Sequence, residues 1–137
     1  MQRRTFVSMM LALPVAGFVG VSCGGGDTGI RLVDADEAAD YLFESPPADL
    51  VVLDVRTPDE YAGGRLPDAQ LLDFYRSDFA DRLAELPKDV PYLLYCRSGN
   101  RSGQTRALMQ DLGFTDVADI DGGILAWEAA DLPLITP

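Results

Sequence analysis

Residues 91–102 read Pro91-Tyr92-Leu93-Leu94-Tyr95-Cys96-Arg97-Ser98-Gly99-Asn100-Arg101-Ser102. A short apolar run that opens at a proline and gives way at once to small, turn-forming residues is the pattern of a parallel strand buried on both faces and closed by a tight loop. From Ser102 to Leu112 the spacing predicts a helix, with Leu108, Met109 and Leu112 able to face the sheet. Gly113 is placed as its left-handed cap, and Phe114 can fold back onto Met109. Cys96 thus stands at the carboxyl end of a buried strand, where open α/β sheets bind their ligands.

The same alternation extends in both directions. Asp34, with Glu37 three positions on, caps a helix running to about Glu44. Leu50-Val51-Val52-Leu53 is a second buried strand, bounded by Pro46-Pro47 and Asp54. Thr57-Pro58-Asp59-Glu60 supplies a cap, a proline at the first helical position and a glutamate at the third, and Gly63-Gly64 ends that turn. A strand over Ala69 to Leu72, a helix over Phe79 to Leu86 stopped by Pro87, and a strand over Val117 to Ile120 follow. Gly122-Gly123 is a turn, and Ile124 to Ala130 a last helix carrying Trp127. Strands alternating with helices predict one α/β domain over residues 30–137, a parallel sheet covered on both faces.

Composition narrows the chemistry. The chain has 137 residues, enough for one ordinary domain. Eleven Lys and Arg stand against 22 Asp and Glu, for a net charge of −11, which disfavours nucleic acid as a partner. There is no histidine, which excludes Ser-His-Asp and Cys-His catalysis, histidine-ligated zinc or haem, and a histidine pH switch. Two cysteines make neither a disulfide framework nor a four-thiolate zinc site. No metal and no cofactor is called for. The chemistry is left to Cys, carboxylates, Arg, Lys, hydroxyls and backbone amides.

Residues 1–22 read as an export signal. Arg3 and Arg4 form a basic start, and Phe6 to Val21 carries no charge. Arg3-Arg4-Thr5-Phe6-Val7 resembles the twin-arginine form of such signals. Gly20-Val21-Ser22-Cys23 resembles the lipobox of bacterial lipoproteins, with Gly20 where a large aliphatic residue is usual. An N-terminal membrane anchor, or an ordinary signal cleaved at a nearby small residue, is the alternative. Residues 23–29 then form a glycine-rich flexible tether. The expectation is an exported domain on the periplasmic or cell-envelope side, meeting the membrane only through a lipid on Cys23.

Ser98, Gly99 and Asn100 let successive backbone N–H groups turn inward to form an anion nest, to which a helix start near Ser102 adds its positive end. Arg97 and Arg101 add positive charge in an otherwise acidic chain. All three effects favour a thiolate, so Cys96 reads as a low-pKa nucleophile that needs no histidine.

At this point the chain resembles the rhodanese family. The resemblance lies in Cys96 to Ser102, in Leu53-Asp54-Val55-Arg56 followed by Pro58-Asp59-Glu60-Tyr61, and in Asp121-Gly122-Gly123-Ile124-Leu125-Ala126-Trp127. Gly64-Arg65-Leu66-Pro67-Asp68-Ala69 departs from it, where the family usually has Gly-His-Ile-Pro-Gly-Ala. The resemblance implies a five-stranded parallel sheet flanked by helices and a Cys96 that cycles through a persulfide. An anionic donor such as thiosulfate gives a sulfur, and cyanide, a thiol or a sulfur-accepting protein removes it. On this reading the loop residues Arg97, Ser98, Gly99, Asn100, Arg101 and Ser102 bind the substrate sulfur and its anionic donor. Asp54 and Arg56 pair and brace a strand end, and Tyr95 and Trp127 only pack. Two rivals remain open. Related phosphatase domains share the fold but need Cys-x5-Arg, whereas here Arg is at 101 and Ser at 102. A non-turnover sulfur carrier or binding module is the other.

Overall fold

The strand-forming runs lie side by side in a single five-stranded parallel sheet. In the computed structural model, which describes residues 29–137, these are β1 (Ile30–Val33), β2 (Val51–Asp54), β3 (Gln70–Leu71), β4 (Tyr92–Tyr95) and β5 (Val117–Ile120). Their spatial order is β1-β5-β4-β2-β3. The helices are α1 (Ala35–Ala39), α2 (Pro58–Gly63), α3 (Phe79–Glu85), α4 (Asn100–Asp111) and α5 (Gly123–Ala129). The proposed export signal and Cys23 lie outside the described residues.

Alternation along each strand sends side chains to two cores. Val52, Leu93, Tyr95, Ala118 and Ile120 meet Ala38 and Ala39 of α1 and Ile124 and Trp127 of α5. Leu53, Tyr92, Leu94, Cys96 and Val117 meet Phe79 and Leu83 of α3 and Met109 of α4 on the other face. Fully burying each large side chain contributes roughly 1.5–3 kcal/mol. The β2 connection runs outward to β3, while the β4 connection runs the other way to β5. Two adjacent strands whose chains depart in opposite directions open a crevice at their carboxyl ends, and Cys96 follows the last residue of β4 there.

Several boundaries differ from the sequence expectations. The first helix is α only as far as Ala39 and continues as a π-helical segment, Asp40–Glu44. Asp34 caps it by accepting from the Glu37 N–H at 2.8 Å. The strand at 69–72 shrinks to two residues on the sheet edge. β1 has little to mark it, because Leu32 is 53 % exposed and Arg31 leaves the apolar run to pair with Asp116. Helix α4 begins at Asn100, two residues earlier than its apolar pattern suggests, so Asn100, Arg101 and Ser102 form its first turn. Gly113 has the expected positive φ of 89°.

Asp54 and Arg56 form a buried ion pair. Arg56 Nη2 donates to Asp54 Oδ2 at 2.7 Å and to the Gly64 carbonyl at 2.6 Å, and Nε donates to both Asp54 oxygens. The Tyr95 hydroxyl donates to Asp54 Oδ2 at 2.7 Å and accepts from the Leu66 N–H. The network ties the ends of β2 and β4 to the segment that departs from the family pattern, where Asp68 takes the positive φ of 60° at the position of the usual glycine. Removing one member leaves a charge buried without its partner. Asp54→Ala should therefore lower unfolding free energy by about 3–5 kcal/mol, read as a reduced urea midpoint with an unchanged slope.

Candidate active site

Cys96 is 1 % exposed, and its sulfur sits inside the turn that links β4 to α4. The Gly99 N–H donates to Cys96 Sγ at 3.1 Å, and Ser102 Oγ lies 3.4 Å from it. Gly99 reaches this geometry at φ 104°, in the left-handed region that glycine enters freely. Burial by itself would raise the thiol's pKa. The Ser102 hydroxyl and the backbone N–H groups of Ser102, Gly99 and Ser98 more than offset it, so the Cys96 pKa lies below the ordinary thiol value. The Gly99 amide and the Ser102 hydroxyl are the sulfur's hydrogen-bond partners, in the turn where the loop composition suggested a nest.

The loop is held from behind. The Ile124 and Leu125 N–H groups at the start of α5 donate to the carbonyls of Cys96 and Arg97 at 2.9 and 3.1 Å. Those two bonds pin the loop backbone just ahead of the Gly99 N–H that meets the sulfur. The close approach needs Gly123, which has φ 59° and whose Cβ, if present, would lie 2.5 Å from the Cys96 oxygen and 2.6 Å from the Arg97 oxygen.

The two loop arginines behave differently. Arg101 forms a two-pronged ion pair with Glu60, Nη1 to Oε2 at 2.8 Å and Nη2 to Oε1 at 2.9 Å. Glu60 is already fixed at the third position of α2, where it completes a capping box with Thr57. Its carboxyl is pulled down to about 2, first by Arg101 and then, against burial, by Thr57. Arg97 is exposed, and among the described residues its side chain joins no ion pair or hydrogen bond. Asn100 Oδ1 accepts from Gln104 along the helix surface at 2.8 Å. Asp54 and Arg56 belong to the opposite sheet face, that of Tyr95, and brace the strand ends without joining the sulfur nest. Trp127 is buried, and its Nε1 donates to the Pro133 carbonyl.

Two residues that sequence reasoning left without a role belong to this site. Glu60 was visible as the end of a Thr-x-x-Glu capping signal, but its reach across to Arg101 spans 41 positions of chain. Asp119 is a carboxylate within the buried strand β5, 1 % exposed, on the same face as Cys96 and 3.2 Å from Arg106 Nη1. Its signal was an acidic residue interrupting an apolar run.

Gly123→Ala should push the Cys96 and Arg97 carbonyls away and open the nest. At least about 1–2 kcal/mol of stability should go from the left-handed backbone alone, and Cys96 alkylation by iodoacetamide at neutral pH should slow. Glu60 has a depressed folded pKa, so its contribution is complete above the unfolded value near 4.5 and lost as pH falls through about 2. Glu60→Gln should be less stable at neutral pH, by up to about 1 kcal/mol, and should lose less stability than the wild type on acidification through that window in urea titrations.

The chain matches the Rhodanese-like domain family over residues 34–130. A sulfurtransferase from Allochromatium vinosum is 36 % identical over 108 residues, covering 79 % of this chain and 97 % of that one. The thiosulfate sulfurtransferase GlpE of Pseudoalteromonas translucida is 34 % identical over 82 residues, 60 % of this chain and 76 % of the relative. The crystal structure of a rhodanese-related protein from Thermoplasma volcanium superposes with a TM-score of 0.67 at 25 % identity, covering 78 % of this chain and 99 % of that one. With its parallel sheet, its cysteine turn and these relatives, the chain belongs to the Rhodanese-like domain family.

Proposed function

We propose that this protein is a sulfurtransferase of the thiosulfate type, in which Cys96 carries the sulfur. The observation that supports this most is a buried cysteine whose sulfur accepts the Gly99 N–H and lies 3.4 Å from the Ser102 hydroxyl oxygen, in the turn that leads into α4. The relatives named sulfurtransferase, one of them a thiosulfate sulfurtransferase, point the same way.

The Cys96 thiolate attacks the outer sulfur of thiosulfate. A sulfur–sulfur bond forms to Cys96, the bond to the sulfonate sulfur breaks, and sulfite leaves with the electron pair. The persulfide is itself an anion, and the nest receives its terminal sulfur with the same N–H groups that lower the thiol's pKa. Cyanide, or a thiol in the cell, then attacks the terminal sulfur and returns the thiolate. Arg97, the loop cation open to solvent, meets the doubly charged donor. Arg101, turned to Glu60, fixes the first turn of α4 and adds a longer-range positive field. The tight turn and the 1 % exposure of Cys96 suit a single sulfur atom rather than a tetrahedral phosphate. The same proposal places the domain outside the cytoplasm on a lipid at Cys23, supported by the basic start and uncharged stretch of residues 1–22. Cys23→Ala should release it from the membrane fraction or leave an uncleaved precursor, and a wild type lacking the lipid would remove that part.

Steady-state thiocyanate formation from thiosulfate and cyanide tests the assignment. Cys96→Ser should abolish it with circular dichroism unchanged. Arg97→Ala should raise KM for thiosulfate more than it lowers kcat, a loss of about 1–3 kcal/mol in kcat/KM. Aryl phosphate hydrolysis should be absent. A Cys96→Ser protein that still makes thiocyanate, or a Cys96-dependent phosphatase rate as large as the sulfur-transfer rate, would overturn the proposal.

A further inference from the structure

The segment between β3 and α3 brings to the cysteine turn an aromatic ring that the core does not use. Phe74 packs against the buried cluster that holds Cys96, with its ring centre 5.2 Å from that of Phe79, and its N–H donates to the Val55 carbonyl. With Phe74 turned inward, Tyr75 turns out, its N–H donating to Asp73 Oδ1 at 3.0 Å. Tyr75 is 68 % exposed, the most of any large apolar side chain among the described residues. The guanidinium carbon of Arg101 lies 5.6 Å from its ring centre, and the Phe74 ring meets it nearly at right angles. Arg101 directly precedes Ser102, whose Oγ lies 3.4 Å from Cys96 Sγ. Tyr75 therefore stands on the rim of the cysteine turn, on the sheet face whose core includes Cys96.

Charge divides that rim in two. Arg97 is exposed and joins no ion pair among the described residues. Arg101, beside the Tyr75 ring, is already matched by both oxygens of Glu60. An anionic donor finds its free cation at Arg97 and none beside Tyr75, where aromatic carbon borders a closed ion pair. An apolar or aromatic group laid on that ring removes both surfaces from water.

We propose that Tyr75 determines which acceptor discharges Cys96, by receiving the apolar group of an organic thiol. The inference rests on the persulfide reading of Cys96 and names the acceptor class which that reading leaves open. The acceptor thiolate attacks the terminal sulfur of the persulfide. The bond between that sulfur and Cys96 Sγ breaks, a sulfur–sulfur bond to the acceptor forms, and Cys96 departs as the thiolate with the electron pair. The acceptor leaves as its own persulfide, so no oxidant or reductant enters. Cyanide has no group to lay on the ring and takes the sulfur without help from Tyr75.

The test uses the full-length protein and two sets of probes. Tyr75 is mostly exposed, so its truncation leaves the core packed. Methanethiosulfonates react with a thiolate directly, joining their thioalkyl group to Cys96 and releasing methanesulfinate, and so need no sulfur transfer. Phenylalkyl reagents from benzyl to phenylbutyl are compared with the methyl reagent by mass mapping of the Cys96 peptide, which keeps Cys23 apart. For the phenylalkyl reagent that the wild type favours most, Tyr75→Ala should lower the rate relative to methyl by about two- to tenfold, the size of one aromatic contact. Tyr75→Phe should keep it, and the methyl rate should stay at the wild-type value in both. Discharge of the Cys96 persulfide to phenylbutanethiol should slow by a similar factor in Tyr75→Ala, with discharge to cyanide unchanged. A relative rate indifferent to Tyr75→Ala would overturn the proposal. So would methyl and cyanide rates that fall along with the others, which is what a merely structural role through a shifted Arg101 gives. A Tyr75-dependent relative rate in a protein that takes no sulfur from thiosulfate would sink the sulfurtransferase reading alone. A Tyr75-independent one in a protein that does take it would sink this inference alone.

Discussion

Two carbonyl oxygens govern this site. Cys96 and Arg97 give theirs to the first amides of α5, which pins the loop backbone just ahead of the Gly99 N–H that meets the sulfur. The geometry exists because Gly123 brings α5 to a distance that no side chain permits. The sheet then sets where this happens, since β4 and β5 are neighbours whose carboxyl ends hold the cysteine turn and the Gly122-Gly123 turn side by side. Against burial, the thiol's lowered pKa comes first from the Ser102 hydroxyl and then from the backbone amides of Ser102, Gly99 and Ser98.

Side-chain charge is distributed sparingly around that backbone device. In a chain of net charge −11, an anionic donor would be repelled at long range, so local cations matter. Arg56 is spent on Asp54 beneath the strand ends, and Arg101 on Glu60 beside the turn. Both act as braces, one for β2 and β4 and one between α2 and α4. Arg97 is left facing solvent at the mouth. Two paired arginines and one left open to solvent are an arrangement that the motif's spacing alone does not express.

Much of this was legible in the sequence because its causes are local. The apolar run ending in Cys96, the glycine at 99, the cap at Thr57 and the aliphatic strands at 51–54 and 117–120 each declare themselves within a few residues. The start of α4 was misplaced by two residues because its first turn is polar, its amides serving the thiol instead of a capping side chain. β1 escaped because an edge strand with Leu32 exposed lacks the buried pattern. Glu60 and Asp119 escaped as site residues for a different reason. Their partners lie far away in sequence, and only the folded sheet brings α2 to α4, or β5 to the turn after β4.

On the proposed reading, the Cys96 nest receives a single sulfur atom. Intact-mass measurement of the protein after exposure to thiosulfate, with peptide mapping, addresses it directly. One added sulfur on Cys96, removed again by cyanide, is the expected result. A chain that gains no sulfur, or gains it anywhere other than Cys96, would contradict it.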